Sequence, residues 1–147
     1  MISGLNHTSF TVSSLERSIG FYRDLLGLEL EATWERRAPW IGEMTGFKGA
    51  RLRLAALRVP GTEHVLELIE YEEPRGERLR RATNDVGSAH IGFVVDDLDA
   101  EYGRLRAAGV EFLSAPVRVT EPPAVGARAV YFRDPDGIPL ELQERKV

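Results

Sequence analysis

Two stretches of the chain carry the same polar–apolar pattern. Asn6-His7-Thr8-Ser9-Phe10-Thr11-Val12 matches Ala89-His90-Ile91-Gly92-Phe93-Val94-Val95 at an offset of 83 residues. Side chains of a strand alternate faces with period two. Thr8, Phe10 and Val12 therefore share one face and His7, Ser9 and Thr11 the other; Ile91, Phe93 and Val95 likewise oppose His90, Gly92 and Val94. A helix-start signal follows each copy: Ser13 with Glu16, a capping box, and Asp96 with Asp99, again 83 apart. Apolar residues then recur at helical spacing, as Leu15, Ile19, Tyr22 and Leu26 and as Leu98, Tyr102 and Leu105. Each run stops at a glycine, Gly27 or Gly109, suited to a left-handed C-cap.

The remainder of each copy reads as strands. Short strands are predicted at Glu29–Trp34 and Val110–Leu113. Leu52–Val59 then leads through the turn Pro60-Gly61 to Val65–Ile69. In the second copy Ala129–Phe132 leads through Asp134-Pro135-Asp136-Gly137 to Pro139–Leu142. Proline presets φ and glycine accepts positive φ, which makes both connections turns. The order strand, helix, strand, strand, strand thus occurs twice. It defines an α+β protein of two modules, 1–71 and 89–147, joined by a polar linker over 72–88 with one short helix. A unit of that size supplies a core of only about 3–5 kcal/mol alone, so the modules are expected to pack on each other. The extended linker reaches ~50 Å at ~3.3 Å per residue, which permits pairing within one chain or exchange between two.

Composition narrows the chemistry. At 147 residues, 43% hydrophobic and 29% charged, the chain is an ordinary globular domain, not a disordered one. With no cysteine it has no disulfide, no thiolate nucleophile and no sulfur-ligated metal. The net charge of −4 argues against a nucleic-acid partner. The basic cluster Arg75, Arg78, Arg80 and Arg81 reads as a solvated face. No apolar run is long enough to span a bilayer, and Met1–Phe10 has no signal-peptide pattern, so a cytoplasmic location and no membrane partner are expected.

The candidate site comes from the strand faces. Leu66 and Leu68 flank Glu67, and Leu140 and Leu142 flank Glu141. With the leucines turned to the helices, both glutamates face the side that carries His7 and His90. A carboxylate in an apolar strand is costly unless it is paired or binds a metal. A lone strand histidine, or a lone Leu-Glu-Leu, has an ordinary structural reading. Two of each at matched places in a repeat predict that His7, Glu67, His90 and Glu141 converge on one divalent metal ion (Ni, Co, Zn, Mn or Fe). An octahedral ion so held keeps two positions for water or substrate. His64 falls on the opposite strand face, has no counterpart and reads as structural. Trp34, Trp40, Phe47 and Tyr71 are pocket candidates, although such aromatics are more often core. Arg36–Phe47, with Pro39, Gly42 and Gly46, reads as an irregular lid.

These residues resemble the vicinal oxygen chelate superfamily, which includes glyoxalase I, methylmalonyl-CoA epimerase, extradiol dioxygenases and bleomycin- or fosfomycin-resistance proteins. The resemblance runs along essentially the whole chain. It is carried by His7–Val12 with Leu15–Gly27, by Ala89–Gly109, and by Tyr131-Phe132-Arg133-Asp134-Pro135-Asp136-Gly137-Ile138-Pro139-Leu140-Glu141-Leu142. It implies paired βαβββ modules forming a curved mixed sheet around a metal cavity. It also implies ligands on the first and last strand of each module, which are the same four residues. The set of two His and two Glu is similar to bacterial glyoxalase I. Where the resemblance to methylmalonyl-CoA epimerases calls for a further glutamate, this chain has Leu52 between Arg51 and Arg53.

The chemistry that follows is a metal-dependent, glyoxalase-like lyase or isomerase acting on a small oxygen-chelating substrate. Glu141, or else Glu67, removes a carbon-bound proton, and the cation stabilises the enediolate. Alternatives are a methylmalonyl-CoA epimerase-like isomerase, an Fe(II) extradiol-type dioxygenase and a non-catalytic, bleomycin-resistance-like binder. The dioxygenase needs three open metal positions, and Glu67 as a fourth ligand leaves two. The binder has little use for four inward ligands. The partners expected are a small-molecule substrate and a second copy of the chain, as a homodimer.

Overall fold

The computed structural model describes residues 1–145. The chain divides into two compact units, Met1–Arg78 and Leu79–Val147, with the division inside the polar segment 72–88. In the first unit β1 (Thr8–Thr11) is followed by α1 (Leu15–Ile19), which continues as a π-helical stretch over Gly20–Leu25. Then come β2 (Glu29–Arg36), α2 (Pro39–Thr45), β3 (Arg51–Arg58) and β4 (Val65–Glu73). The second unit contains β5 (Ile91–Val94), α3 (Leu98–Ala107), β6 (Val117–Arg118), β7 (Arg128–Arg133) and β8 (Pro139–Glu144).

Each unit builds its own four-stranded mixed sheet, in the orders β1-β4-β3-β2 and β5-β8-β7-β6. The first and last strands of each unit are parallel, with Ser9 beside Glu67 and Gly92 beside Glu141; the remaining pairs are antiparallel. Parallel neighbours need a crossover, which the intervening helix and strands supply. Burial follows the strand alternation. Leu66, Leu68 and Glu70 are buried on one face of β4, while Val65, Glu67 and Ile69 stand half-buried on the other. On β8, Leu140 and Leu142 are buried and Glu141 is half-buried. Phe10 and Phe21 pack their rings on Tyr22 beneath α1. In the second unit Phe112 joins Tyr102 of α3 to Phe132 of β7.

The helix caps sit one residue later than the sequence predicts. Ser14, not Ser13, adopts the extended capping conformation and accepts from Arg17 N at 3.4 Å; Ser13 Oγ accepts from the Arg17 side chain instead. Asp97, not Asp96, accepts from Ala100 N at 2.9 Å. The reciprocal arm of the predicted capping boxes is diverted, because Glu16 pairs with Arg53 and Asp99 with Arg128. A carboxylate on the last strand caps each helix as well. Glu70 Oε2 accepts from Leu15 N at 2.9 Å, and Glu144 Oε2 from Leu98 N at 2.8 Å. Arg53 and Arg128 each reach the capping glutamate too, so a glutamate–arginine–acid clamp occurs twice.

Three other elements differ from the reading of the sequence. Val110–Leu113 forms only a bridge, Phe112 to Phe132, and the fourth strand of that sheet is Val117–Arg118. Pro116, which lacks an amide donor, separates the two. The segment 72–88 carries no helix; β4 extends to Glu73, and turns through Ala82, Asp85 and Ser88 follow. With Pro74, Gly76 and Gly87 and no apolar period, that segment has no face to bury. Arg36–Phe47 is not an irregular flap, since α2 occupies Pro39–Thr45. Pro39 lies in its first turn and Gly46 terminates it at φ 78°. Those residues are boundary signals at the ends of a helix, where proline and glycine are favoured. Ile41, 1% exposed, anchors α2 against Ala50, Leu52 and Leu54, with Trp34, Ile69 and Tyr71 packed alongside.

Candidate metal centre

His7 and His90 lie immediately ahead of β1 and β5 rather than within them. Each nevertheless meets the glutamate expected from the strand register. His7 Nε2 stands 3.8 Å from Glu67 Oε1, and His90 Nε2 stands 3.3 Å from Glu141 Oε2. The carboxylates are the more enclosed partners, with side chains 19% and 12% exposed against 41% and 40% for the imidazoles. His64 closes the β3–β4 turn through its backbone, accepting from Val59 N and donating to Thr62 Oγ1.

The two histidines are supported differently. Asn6 Oδ1 lies 2.6 Å from His7 Nδ1. An amide oxygen only accepts, so Nδ1 is the donor in that contact and Nε2 is the ring nitrogen on the Glu67 side. At His90 the neighbour is Tyr131, whose hydroxyl lies 3.3 Å from Nε2, with the rings in an edge contact at 5.0 Å. Tyr131 is directly opposite Glu141 on β7, the position that Ala56 holds opposite Glu67. Burial first, then the charge of Glu141, pushes the Tyr131 phenol above its ordinary range, which keeps it neutral. Reading the sequence alone missed Asn6 and Tyr131. The signal for Tyr131 was the hairpin register around Asp134–Gly137, which sets it against Glu141.

The aromatic candidates divide. Trp34 and Tyr71 are partly buried against the Ile41 cluster; Trp40 and Phe47 are 49% and 50% exposed. In the first unit, Ala56, Leu54 and Leu52 of β3 share the Glu67 face with Ile69 and Tyr71, so α2 covers one end of that face. The matching face of the second unit leaves Val94 and Val117 more than half exposed.

Imidazole nitrogen and carboxylate oxygen suit a divalent transition ion. Within each unit one of each stands within 4 Å of the other, and the orienting bond on His7 Nδ1 is typical of a metal-ligating imidazole. Among the described residues no group of three or more His, Asp or Glu side chains is placed to hold a metal ion; each unit presents a His–Glu pair. No described helix is long and apolar enough to cross a membrane.

Twin βαβββ sheets, each with a His–Glu pair on the face turned from α1 or α3, define a duplicated α+β architecture. The chain belongs to the Glyoxalase/Bleomycin resistance protein/Dioxygenase superfamily, whose pattern it matches over residues 4–142. It is 35% identical to a 2-epi-5-epi-valiolone epimerase from Actinomyces sp. over 142 residues, covering 94% of this chain and 77% of that protein. It is 30% identical to the metallothiol transferase FosB of Shouchella clausii (strain KSM-K16), covering 97% of this chain and 80% of the relative. A glyoxalase family protein from Bacillus cereus superposes with a TM-score of 0.86 at 25% identity, covering 100% of this chain and 97% of that one. The epimerase and the metallothiol transferase are enzymes.

Proposed function

We propose that the protein is a metal-dependent lyase or isomerase of the glyoxalase type, which moves a proton at a carbon next to a carbonyl in a small oxygen-chelating substrate. The observation that carries this reading is the matched geometry of the two His–Glu contacts, 3.8 and 3.3 Å, at equivalent places in a duplicated unit. His7, Glu67, His90 and Glu141 together hold one divalent ion (Ni, Co, Zn, Mn or Fe), brought together within one chain or between two copies in a homodimer. When bound, that ion supplies positive charge that stabilises a developing enediolate. Glu141 acts as the base, taking the carbon-bound proton and returning it to the same or the neighbouring carbon. It is the more enclosed of the two carboxylates, 12% exposed against 19% for Glu67. Glu67 is the second candidate for that role. Asn6 holds the His7 ring in its ligating orientation. The epimerase relative supports proton transfer over oxygen chemistry, since epimerisation inverts one carbon centre.

The test is metal identification on untagged protein, followed by a panel of ketone epimerisation substrates, methylglyoxal–thiol adducts, methylmalonyl-CoA and catechols, in D₂O with oxygen uptake monitored. Deuterium incorporation next to a carbonyl, without oxygen consumption, is expected. The Glu141→Gln variant keeps most of its metal and loses turnover by about 10²–10⁴-fold. Oxygen uptake with catechols, or full activity in that variant, overturns the assignment.

A further inference from the structure

The duplication is broken beside the second pair. Ala56 stands opposite Glu67, and Tyr131 stands opposite Glu141. The phenol is not directed at bulk water; its hydroxyl lies 3.3 Å from His90 Nε2, and the ring packs edge-on against the imidazole at 79°. The same nitrogen lies 3.3 Å from Glu141 Oε2. His7 has the opposite arrangement, because its polar neighbour Asn6 takes Nδ1 and leaves Nε2 facing only the glutamate side. One imidazole thus has only a carboxylate near its Nε2, while the other has both a phenolic hydroxyl and a carboxylate oxygen 3.3 Å from its Nε2.

We propose that Tyr131 is a placeholder at the metal centre: in the metal-free protein its hydroxyl engages His90 Nε2, and an incoming divalent cation must displace it. The inference rests on the metal reading above. A ring nitrogen has one lone pair in the ring plane, and a hydrogen-bond donor and a cation compete for it. The placeholder holds the imidazole against Glu141, so the ring is oriented before the ion arrives, at the cost of one hydrogen bond when it does. The exchange moves no proton off the phenol: the O–H turns to water as the nitrogen takes the cation. Gly92, beside Glu141 on β5, keeps the space clear, since a Cβ there would come within 3.3 Å of Glu141 Oε2.

The test pairs Tyr131→Phe with wild type in two readouts. First, long-range ¹H–¹⁵N spectra of the metal-free proteins report the His90 ring nitrogens. A shift of the His90 Nε2 resonance on removal of the hydroxyl is expected, and an unmoved resonance overturns the proposal whatever the metal does. Second, Ni²⁺, Co²⁺, Zn²⁺ and Mn²⁺ are titrated in competition with a chromophoric chelator, with uptake followed by stopped flow. Loss of one competing hydrogen bond is expected to tighten binding by about 2–10-fold and to speed uptake. Equal or weaker binding in Tyr131→Phe overturns the proposal. His90→Ala separates the two claims: if wild type binds no better than His90→Ala, the metal reading itself falls and this inference with it. A shifted ¹⁵N resonance in that case still places the hydroxyl on the nitrogen. Phenylalanine retains the ring packing, and an unchanged melting temperature confirms that the fold is intact.

Discussion

The two halves share their framework and differ in what surrounds the working residues. Both place a histidine just ahead of the first strand and a glutamate on the last. Both lock the strand–helix corner with a last-strand glutamate, as Glu70 on Leu15 N and Glu144 on Leu98 N. Around that skeleton the first half adds Asn6 behind its imidazole and the helix α2 over its sheet. The second substitutes Ala89 for Asn6, Tyr131 for Ala56 and Gly92 for Ser9, and leaves Val94 and Val117 uncovered. The frame needs the same corner twice, so it stays alike. Under the proposed function a single substrate would meet two different surroundings, which is where the halves diverge.

This comparison breaks most easily at the histidines. If the halves contribute equally to one ion, His7→Ala and His90→Ala each weaken metal binding by more than about 100-fold, beyond the cost of losing an outer partner. A large loss in one and none in the other, measured by equilibrium dialysis, makes one half a bystander. Next comes the asymmetric support. Asn6→Ala releases His7 Nδ1 and is expected to cost about 10–100-fold in metal affinity. Ala89→Asn, at the matching place, should bring no comparable loss. Equal responses in a chelator competition erase the distinction between the halves.

The shared corners predict a stability effect of similar size in both halves. Glu70→Ala and Glu144→Ala each strip the acceptor from a helix N-terminal amide, and each is expected to destabilise by about 1–3 kcal/mol in urea unfolding. Glu70 has the larger effect, because it is 8% exposed. The smallest effect concerns acid. The side-chain bond from Arg53 holds Glu16 below the usual carboxylate range, and Arg128 does the same to Asp99. A depressed folded pKa gives stability that is present above the unfolded value, about 4, and is lost as pH falls through the folded one. Glu16→Gln and Asp99→Asn should each flatten the fall in unfolding free energy below about pH 5. An unchanged slope removes the pairs from the acid response.

Much of the frame could be read in the sequence because it repeats. His7–Val12 and Ala89–Val95 announced the first strands, and Leu-Glu-Leu on the last strands fixed which way Glu67 and Glu141 face. Gly27 and Gly109 do adopt left-handed φ values, 81° and 85°. What escaped was set by contacts distant in sequence. Ser14 and Asp97 take the caps, while Arg53 and Arg128, on other strands, pair with the Glu16 and Asp99 that the predicted capping boxes would use. Helix α2 was hidden because Pro39 and Gly46 mark the ends of a helix as well as they mark a loop. Its seven residues are held by Ile41 against residues 50–54, and an isolated helix that short is not stable in water. Tyr131 and Asn6 escaped because they break the repeat that made the rest visible.

The most direct measurement is the metal stoichiometry of the untagged protein, by calorimetric titration with the preferred divalent ion. Sharing of one ion by the two His–Glu pairs, whether within a chain or across a homodimer, predicts one ion bound per chain. Two ions per chain, one on each pair, or none from any of the five metals, would contradict it.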